Sequence, residues 1–213
     1  MTQKAILFDL DGTLTDSAEG IMNCATLALE HFGLPVPDRD TMKEIVGPPL
    51  RDSMIKYGVK PEDVEEAIAV FRSRYVTVGK FENRPYAGIV EMLSKLKAQG
   101  HKLYVATSKP EPQALEILDY FELTQYFDLV AGASLDESRA SKADVIAYLK
   151  TQSGDIAQPV MIGDTTFDII GAAAHGIPGI GVSWGYGKVD DMVAAGAAAI
   201  ANSPAELFEL LQK

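Results

Sequence analysis

Short apolar runs alternate with amphipathic stretches over most of this chain. The runs lie at residues 5–8, 103–106, 129–131, 160–162, 179–182 and, more weakly, 198–201. Apolar positions recur at three- and four-residue spacing over 88–99, 113–121, 143–151, 168–175, 190–195 and 205–211. Uninterrupted runs of that length suit strands buried on both faces, and the intervening spacing suits helices with one buried stripe. Strand alternating with helix predicts parallel βαβ units in an α/β, doubly wound sheet. The punctuation agrees. Gly100 follows the first of these helices as a stop, while Pro110 and Pro112 mark the start of the second and Pro204 the start of the last.

One segment breaks this rhythm. Residues 16–83 contain no convincing strand. Helical patterns fill them instead, over 17–32 ending at Gly33, 40–46 ending at Gly47, 50–57 ending at Gly58 and 61–78 ending at Gly79. A four-helix block inserted after the first strand predicts a separate helical domain over 16–83. The α/β core is then 1–15 joined to 84–213, with hinges near Thr15 and Arg84-Pro85.

Composition narrows the class. With 213 residues, 47% hydrophobic and 23% charged, the chain suits a globular protein of one or two domains. No apolar run approaches the about 18 residues that span a membrane. Met1-Thr2-Gln3-Lys4 runs straight into the first strand and leaves no room for a signal peptide. The single cysteine, Cys24, excludes an internal disulfide framework and points to a reducing, cytoplasmic location. Among Ala25, Leu27 and Ala28 it reads as a buried structural thiol. A net charge of −11 argues against a nucleic-acid partner, which needs a concentrated basic face. It also means that an anionic substrate must be drawn in by local positive charge or a cation. Nothing in the pattern decides between monomer and homodimer.

The chemistry gathers at the strand ends. The first strand runs into Asp9-Leu10-Asp11-Gly12-Thr13-Leu14, the second into Thr107-Ser108-Lys109, and the fourth into Gly163-Asp164-Thr165-Thr166-Phe167-Asp168. Lys142 opens the helix after the third strand. Open α/β sheets place ligands at this edge. Asp-x-Asp before glycine is also common as a solvated turn, so the pair alone decides nothing. Like charges this close are tolerable when a cation covers them, and Mg²⁺ prefers oxygen ligands. A carboxylate beside such an ion can attack phosphorus, and a second can protonate the leaving oxygen and then activate water. A third carboxylate completes a metal site, while a hydroxyl and an ammonium can hold phosphate oxygens as charge develops.

These elements, in this order, resemble the haloacid dehalogenase superfamily (HAD) of phosphohydrolases, and the resemblance covers the whole chain, insertion included. It implies Asp9 as nucleophile and Asp11 as general acid/base. It implies Mg²⁺ held by Asp9, Asp164 and the backbone carbonyl of Asp11, with Asp168 supporting the metal site. It implies phosphate held by Thr107, Lys142 and backbone N–H groups around Ser108. Dehalogenase relatives lack a carboxylate at the Asp11 position, so its presence favours phosphoryl chemistry. No cap lysine for a Schiff base can be placed, and no histidine precedes His31, so hydrolysis is the simplest outcome. Gly47-Pro48-Pro49-Leu50 and Pro85-Tyr86-Ala87-Gly88 resemble the phosphoglycolate phosphatase branch. Ser141-Lys142-Ala143-Asp144 and Ser108 depart from that branch's usual residues without removing a catalytic group.

The expectation is a cytoplasmic, Mg²⁺-dependent phosphatase that acts on a small phosphorylated metabolite through an aspartyl-phosphate, with 2-phosphoglycolate the leading substrate. A 5′-nucleotidase or sugar phosphatase of the same superfamily is the alternative, and a non-catalytic regulator on this fold is the alternative outside it. A dinucleotide enzyme would need a glycine-rich turn where Asp9 and Asp11 stand. Several residues have ordinary readings beside the functional ones. Ser17 reads as a helix cap, Lys109 as facing solvent or the site rim, and His175 as a helix-end residue. Trp184 and Tyr186, in a loop with Gly181, Gly185 and Gly187 after the fifth strand, read as lining the site or, for Trp184, as simple packing; Arg51 reads as a cap specificity residue or a solvated side chain, and Asp168 as a site residue or simply the cap of its helix.

Overall fold

The structure, a computed structural model, describes residues 3–136, 138–154 and 156–213. Met1 and Thr2, at the head of the expected first strand, lie outside these residues, as do Glu137 and Asp155. The chain divides into two compact units, Asp16–Arg84 and Met1–Thr15 with Pro85–Lys213.

The unit Asp16–Arg84 is helical. It holds α1 (Ala18–His31), α2 (Arg39–Met42), α3 (Leu50–Lys56) and α4 (Val64–Tyr75), with single 3₁₀ turns at Lys43–Ile45, Pro61–Asp63 and Gly79–Phe81. Asp38 starts α2 by accepting from the N–H groups of Asp40 and Thr41 at 3.0 and 2.9 Å. A Cβ on Gly20 would fall 1.9 Å from the Gly79 carbonyl oxygen, so glycine is what lets α1 approach the turn at Gly79. Cys24 is buried as expected, beside the Arg74 guanidinium that grips Glu82 through two bonds of 2.6 and 2.7 Å. Ser17 departs from the expectation. It precedes α1, but its backbone (φ −94°, ψ 2°) is not extended as a capping residue's is. Its Oγ is buried and makes no hydrogen bond.

The second unit is built on a six-stranded sheet in the order β3-β2-β1-β4-β5-β6. The strands are β1 (Ala5–Phe8), β2 (Lys102–Pro110), β3 (Leu129–Ala133), β4 (Pro159–Gly163), β5 (Gly179–Val182) and β6 (Ala199–Ala201), and every neighbouring pair is parallel. The crossover helices are α5 (Ile89–Ala98), α6 (Glu111–Tyr120), α7 (Lys142–Ser153), α8 (Thr166–Ala173), α9 (Val189–Ala194) and α10 (Pro204–Leu211). Alternate residues of β1 feed two cores. Ile6 and Phe8 pack with α5, α6 and α10 residues such as Leu93, Ile117 and Leu207, while Ala5 and Leu7 pack with Val145 and Ile146 of α7 and Ala172 of α8. Both faces are covered, which is why the strands read as unbroken apolar runs.

The order reverses at β1, whose neighbours are β2 and β4. In doubly wound sheets that reversal opens a crevice beyond the carboxyl ends of the strands. The register places the chemistry there: Phe8 pairs with Val105 on one side and Ile162 on the other, so Asp9, Ala106 and Gly163 form the next row. β2 differs from expectation by running on to Pro110, with its pairing to β3 irregular between Ala106 and Pro110. Thr107, Ser108 and Lys109 are therefore strand residues. α7 begins at Lys142 because Ser141 and Asp144 cap it reciprocally.

Candidate active site

Asp9, Asp164 and Asp168 converge at the end of β1 and β4. One carboxylate oxygen from each lies within 4.8 Å of the others, and all three residues are buried. Asp164 is fully buried. Its Oδ1 accepts from the Thr13 hydroxyl at 3.2 Å and its Oδ2 from the Tyr186 N–H at 2.8 Å. The space for it is made by glycines. A Cβ on Gly12 would lie 2.2 Å from Asp164 Oδ2, and one on Gly185 would lie 2.3 Å from Asp164 Cβ. Gly12 also takes a φ of +83°, which suits glycine. The loop after β5 thus closes the site, and Trp184 anchors it by donating Nε1–H to the Thr13 carbonyl at 3.0 Å.

Lys142 is the central cation. Its ammonium donates to the Ala106 carbonyl at 2.8 Å and forms ion pairs with Asp9 Oδ1 and Asp168 Oδ1, each at 2.8 Å. Those two buried oxygens have no hydrogen-bond partner besides that ammonium. The lysine stem lies against α8, where a Cβ on Gly171 would meet Lys142 Cβ at 2.7 Å. Asp168 caps its helix and also faces Lys142. Its Oδ2 accepts from the N–H and hydroxyl of Thr165 at 3.0 and 2.9 Å and so fixes the start of α8, while its Oδ1 faces Lys142.

The charges follow from burial. Loss of water pushes the Asp9 carboxyl up to about 6, with Lys142 opposing and Asp168 adding to the push. Burial also raises the Asp164 carboxyl well above the usual range, helped by Asp168 and Asp9. Burial alone would lower the Lys142 ammonium, but Asp168 and Asp9 outweigh it and hold the ammonium above its ordinary value. A site that raises two carboxyls by crowding them without water is one that gains from a cation.

Thr107 is buried, and its Oγ1 accepts the Lys109 N–H at 3.2 Å. Ser108, between them, turns its side chain to the outside. Lys109 is a correction to the sequence reading. It is buried, and its Nζ lies 2.8 Å from Asp11 Oδ2. Thr107 and Lys109 are two residues apart in a strand and so share a side. That spacing was the available signal, and it was missed because the strand was expected to end at Ala106. His175 bonds the Ala143 carbonyl at 2.8 Å and belongs to helix packing. Arg51, on α3 in the helical unit, pairs with Glu65 of α4.

The donor set fits a hard divalent cation. Asp9, Asp164 and Asp168 offer only oxygen, and partly orphaned buried oxygens stand ready for it. A carboxylate cluster at the switch point of a parallel sheet, flanked by a buried lysine, is a place that could hold a metal ion.

The chain belongs to the haloacid dehalogenase-like hydrolase family, whose model matches residues 6–182. It is 46% identical over 188 residues to a tyrosine-protein kinase, PtkA, of Mycobacterium tuberculosis, covering 88% of this chain and 64% of the relative. The chain thus spans less than two thirds of that relative's length. It is 40% identical over 189 residues to a 5′-nucleotidase of Pseudomonas aeruginosa, covering 88% and 86% of the two chains. A phosphoglycolate phosphatase of Caulobacter vibrioides is 37% identical over 191 residues, covering 85% and 79%. Among solved structures, that of a predicted phosphatase from Clostridium acetobutylicum superposes with a TM-score of 0.93 at 41% identity, covering 100% of this chain and 99% of the other.

Proposed function

We propose that the chain is a Mg²⁺-dependent phosphatase that hydrolyses small phosphomonoesters through an aspartyl-phosphate on Asp9. The observation that carries this is the meeting of Asp9, Asp164 and Asp168 within 4.8 Å beside Lys142. When bound, the cation neutralises the carboxylates and the phosphate oxygens that approach them. Asp9, Asp164 and the carbonyl of Asp11 would hold it, with Asp168 in support.

Asp9 is the attacking carboxylate. Lys142 pairs with it at rest and is close enough to take a phosphate oxygen as charge develops. Thr107 and the N–H groups around Ser108 complete the phosphate seat. Asp11 gives a proton to the leaving oxygen, then removes one from the water that opens the aspartyl-phosphate. The helical residues 16–83 are the inserted cap domain, where substrate choice would lie and where Arg51 is a candidate specificity residue. Excluding bulk water during turnover protects the acyl phosphate.

For substrate, 2-phosphoglycolate leads on the Gly47-Pro48-Pro49-Leu50 and Pro85-Tyr86-Ala87-Gly88 resemblance. Nucleoside 5′-monophosphates follow, supported by the 5′-nucleotidase relative. The test is phosphate release from 2-phosphoglycolate, nucleoside monophosphates and sugar phosphates, with and without Mg²⁺. Turnover that needs Mg²⁺ and is lost in Asp9→Asn supports the reading, and the best substrate chooses the branch. No release from any ester or acyl phosphate rejects it. Tyrosine phosphorylation from ATP, without ester hydrolysis, would instead favour the activity in the kinase relative's name.

A further inference from the structure

Two buried lysines pair with three of the four carboxylates of this site. Lys142 serves Asp9 and Asp168, and Lys109 serves Asp11. The second pair uses a carboxylate that is not one of the three in the Asp9, Asp164 and Asp168 cluster. Lys109 Nζ meets Asp11 Oδ2 at 2.8 Å, with the two side chains 6% and 14% exposed. Asp11 Oδ1 is buried without a hydrogen-bond partner. The two carboxylate oxygens of Asp11 are therefore not equivalent.

We propose that Lys109 is a positioning residue for Asp11: it holds Oδ2 and so turns Oδ1 toward the reacting phosphoester as the atom that exchanges the proton. This rests on the reading of Asp11 as general acid/base. The backbone supports it. The Lys109 N–H is tied to Thr107 Oγ1 at 3.2 Å, and the register irregularity of β2 past Ala106 sets the segment that carries both side chains. A carboxyl with two free rotations about its stem delivers a proton poorly, because general acid catalysis needs the donor held within hydrogen-bond reach. In the step concerned, the phosphorus–oxygen bond of the ester breaks, the leaving oxygen takes the proton from Asp11 Oδ1, and Asp9 keeps the phosphoryl group. Lys109 loses no proton and stays paired with Oδ2.

The role has a signature that a merely structural lysine lacks. Proton donation matters for a poor leaving group and little for a good one. The experiment is transient kinetics of phosphoenzyme formation on phenyl phosphate and 4-nitrophenyl phosphate, for wild type, Lys109→Met and Lys109→Arg with Mg²⁺ present. The expected result is that Lys109→Met slows reaction on phenyl phosphate at least about tenfold more than on 4-nitrophenyl phosphate. KM should stay within about threefold for both, since Thr107 and Lys142 are untouched, and Lys109→Arg should restore most of the loss. Equal losses on the two esters, or a KM rise with unchanged rate, overturn the inference. A crystal structure of Lys109→Met is the readout independent of turnover. The Asp11 carboxylate should leave its place while Asp9 and Lys142 keep theirs, and an unmoved Asp11 also overturns the inference. If the wild type forms no phosphoenzyme from either ester, the proposed function fails, and the structure of Lys109→Met still decides whether Lys109 positions Asp11.

Discussion

Gly163 leaves the space that Asp168 fills: a Cβ on this glycine would lie 2.1 Å from the Asp168 carboxyl carbon. The last residue of β4 thus seats a carboxylate five residues further on, and through it Lys142. Gly163→Ala should push Asp168 off both Thr165 and Lys142. Overpacking of this kind costs about 1–3 kcal/mol. Urea unfolding should show that loss, and Mg²⁺-dependent phosphate release should fall by more than about tenfold. An alanine variant with wild-type stability and turnover would mean that the cradle is not needed.

Lys142 supports the site by charge, and its removal should be costly. Lys142→Met leaves Asp9 and Asp168 buried without their shared cation. Breaking a buried pair from one side typically costs 3–5 kcal/mol, an order-of-magnitude figure of about that size here. Adding Asp168→Asn to Lys142→Met should recover part of the loss, a coupling that a double-mutant cycle measures. Strictly additive effects in denaturant unfolding would show that the two side chains act independently.

Metal should stabilise the folded chain through the same carboxylates. A ligand at 100 times its dissociation constant adds about 2.7 kcal/mol. Without metal, burial, Asp168 and Asp9 hold the Asp164 carboxyl high. An acid whose folded value is raised favours folding in its protonated form, and that contribution is lost as pH rises through the folded value. Asp164→Asn should therefore be at least as stable as wild type in chelator above neutral pH, yet gain nothing from Mg²⁺. Calorimetric melts with and without Mg²⁺ check both halves. A melt of Asp164→Asn that rises with Mg²⁺ as the wild type does would remove Asp164 from the metal site.

A second pH effect sits far from these strand ends. His101, before β2, is buried, and its Nδ1 accepts the Lys4 N–H at 3.1 Å. Its Nε2 is buried without a partner. Burial holds the ring below the usual histidine value, with Lys4 adding to the effect. A base lowered in this way stabilises the fold above about pH 6.5, its unfolded value, and that contribution is lost as pH falls. His101→Asn keeps an acceptor for Lys4 and cannot take up a proton. Its stability should fall less than the wild type's between about pH 7 and pH 5. Parallel unfolding curves at each pH would contradict this.

The sheet and its strand-end chemistry were legible because they are local. Buried parallel strands carry their signature in four or five consecutive residues, and Asp9, Asp164 and Lys142 stand directly at element ends. What escaped was set by contacts distant in sequence. The loop of Gly185 reads as one that could line the site, but its local sequence does not announce that Gly185 makes room for Asp164, about twenty residues earlier, because the demand comes from the meeting of two loops. Ser17 has the residue type of a cap, but its backbone turns the wrong way for one. Lys109 read as facing solvent or the site rim because the expected strand stopped at Ala106. The extension of β2 to Pro110 puts it on the buried side with Thr107.

The central claim is that Asp9 carries the phosphoryl group, and trapping it is the most direct test. The protein would be mixed with Mg²⁺ and its best phosphoester, quenched in acid within milliseconds and examined by mass spectrometry after digestion. The account predicts a phosphate adduct on the peptide containing Asp9 in the wild type, and none in Asp9→Asn. Turnover without any adduct on that peptide, or an Asp9→Asn variant that hydrolyses esters as fast as the wild type, would contradict it.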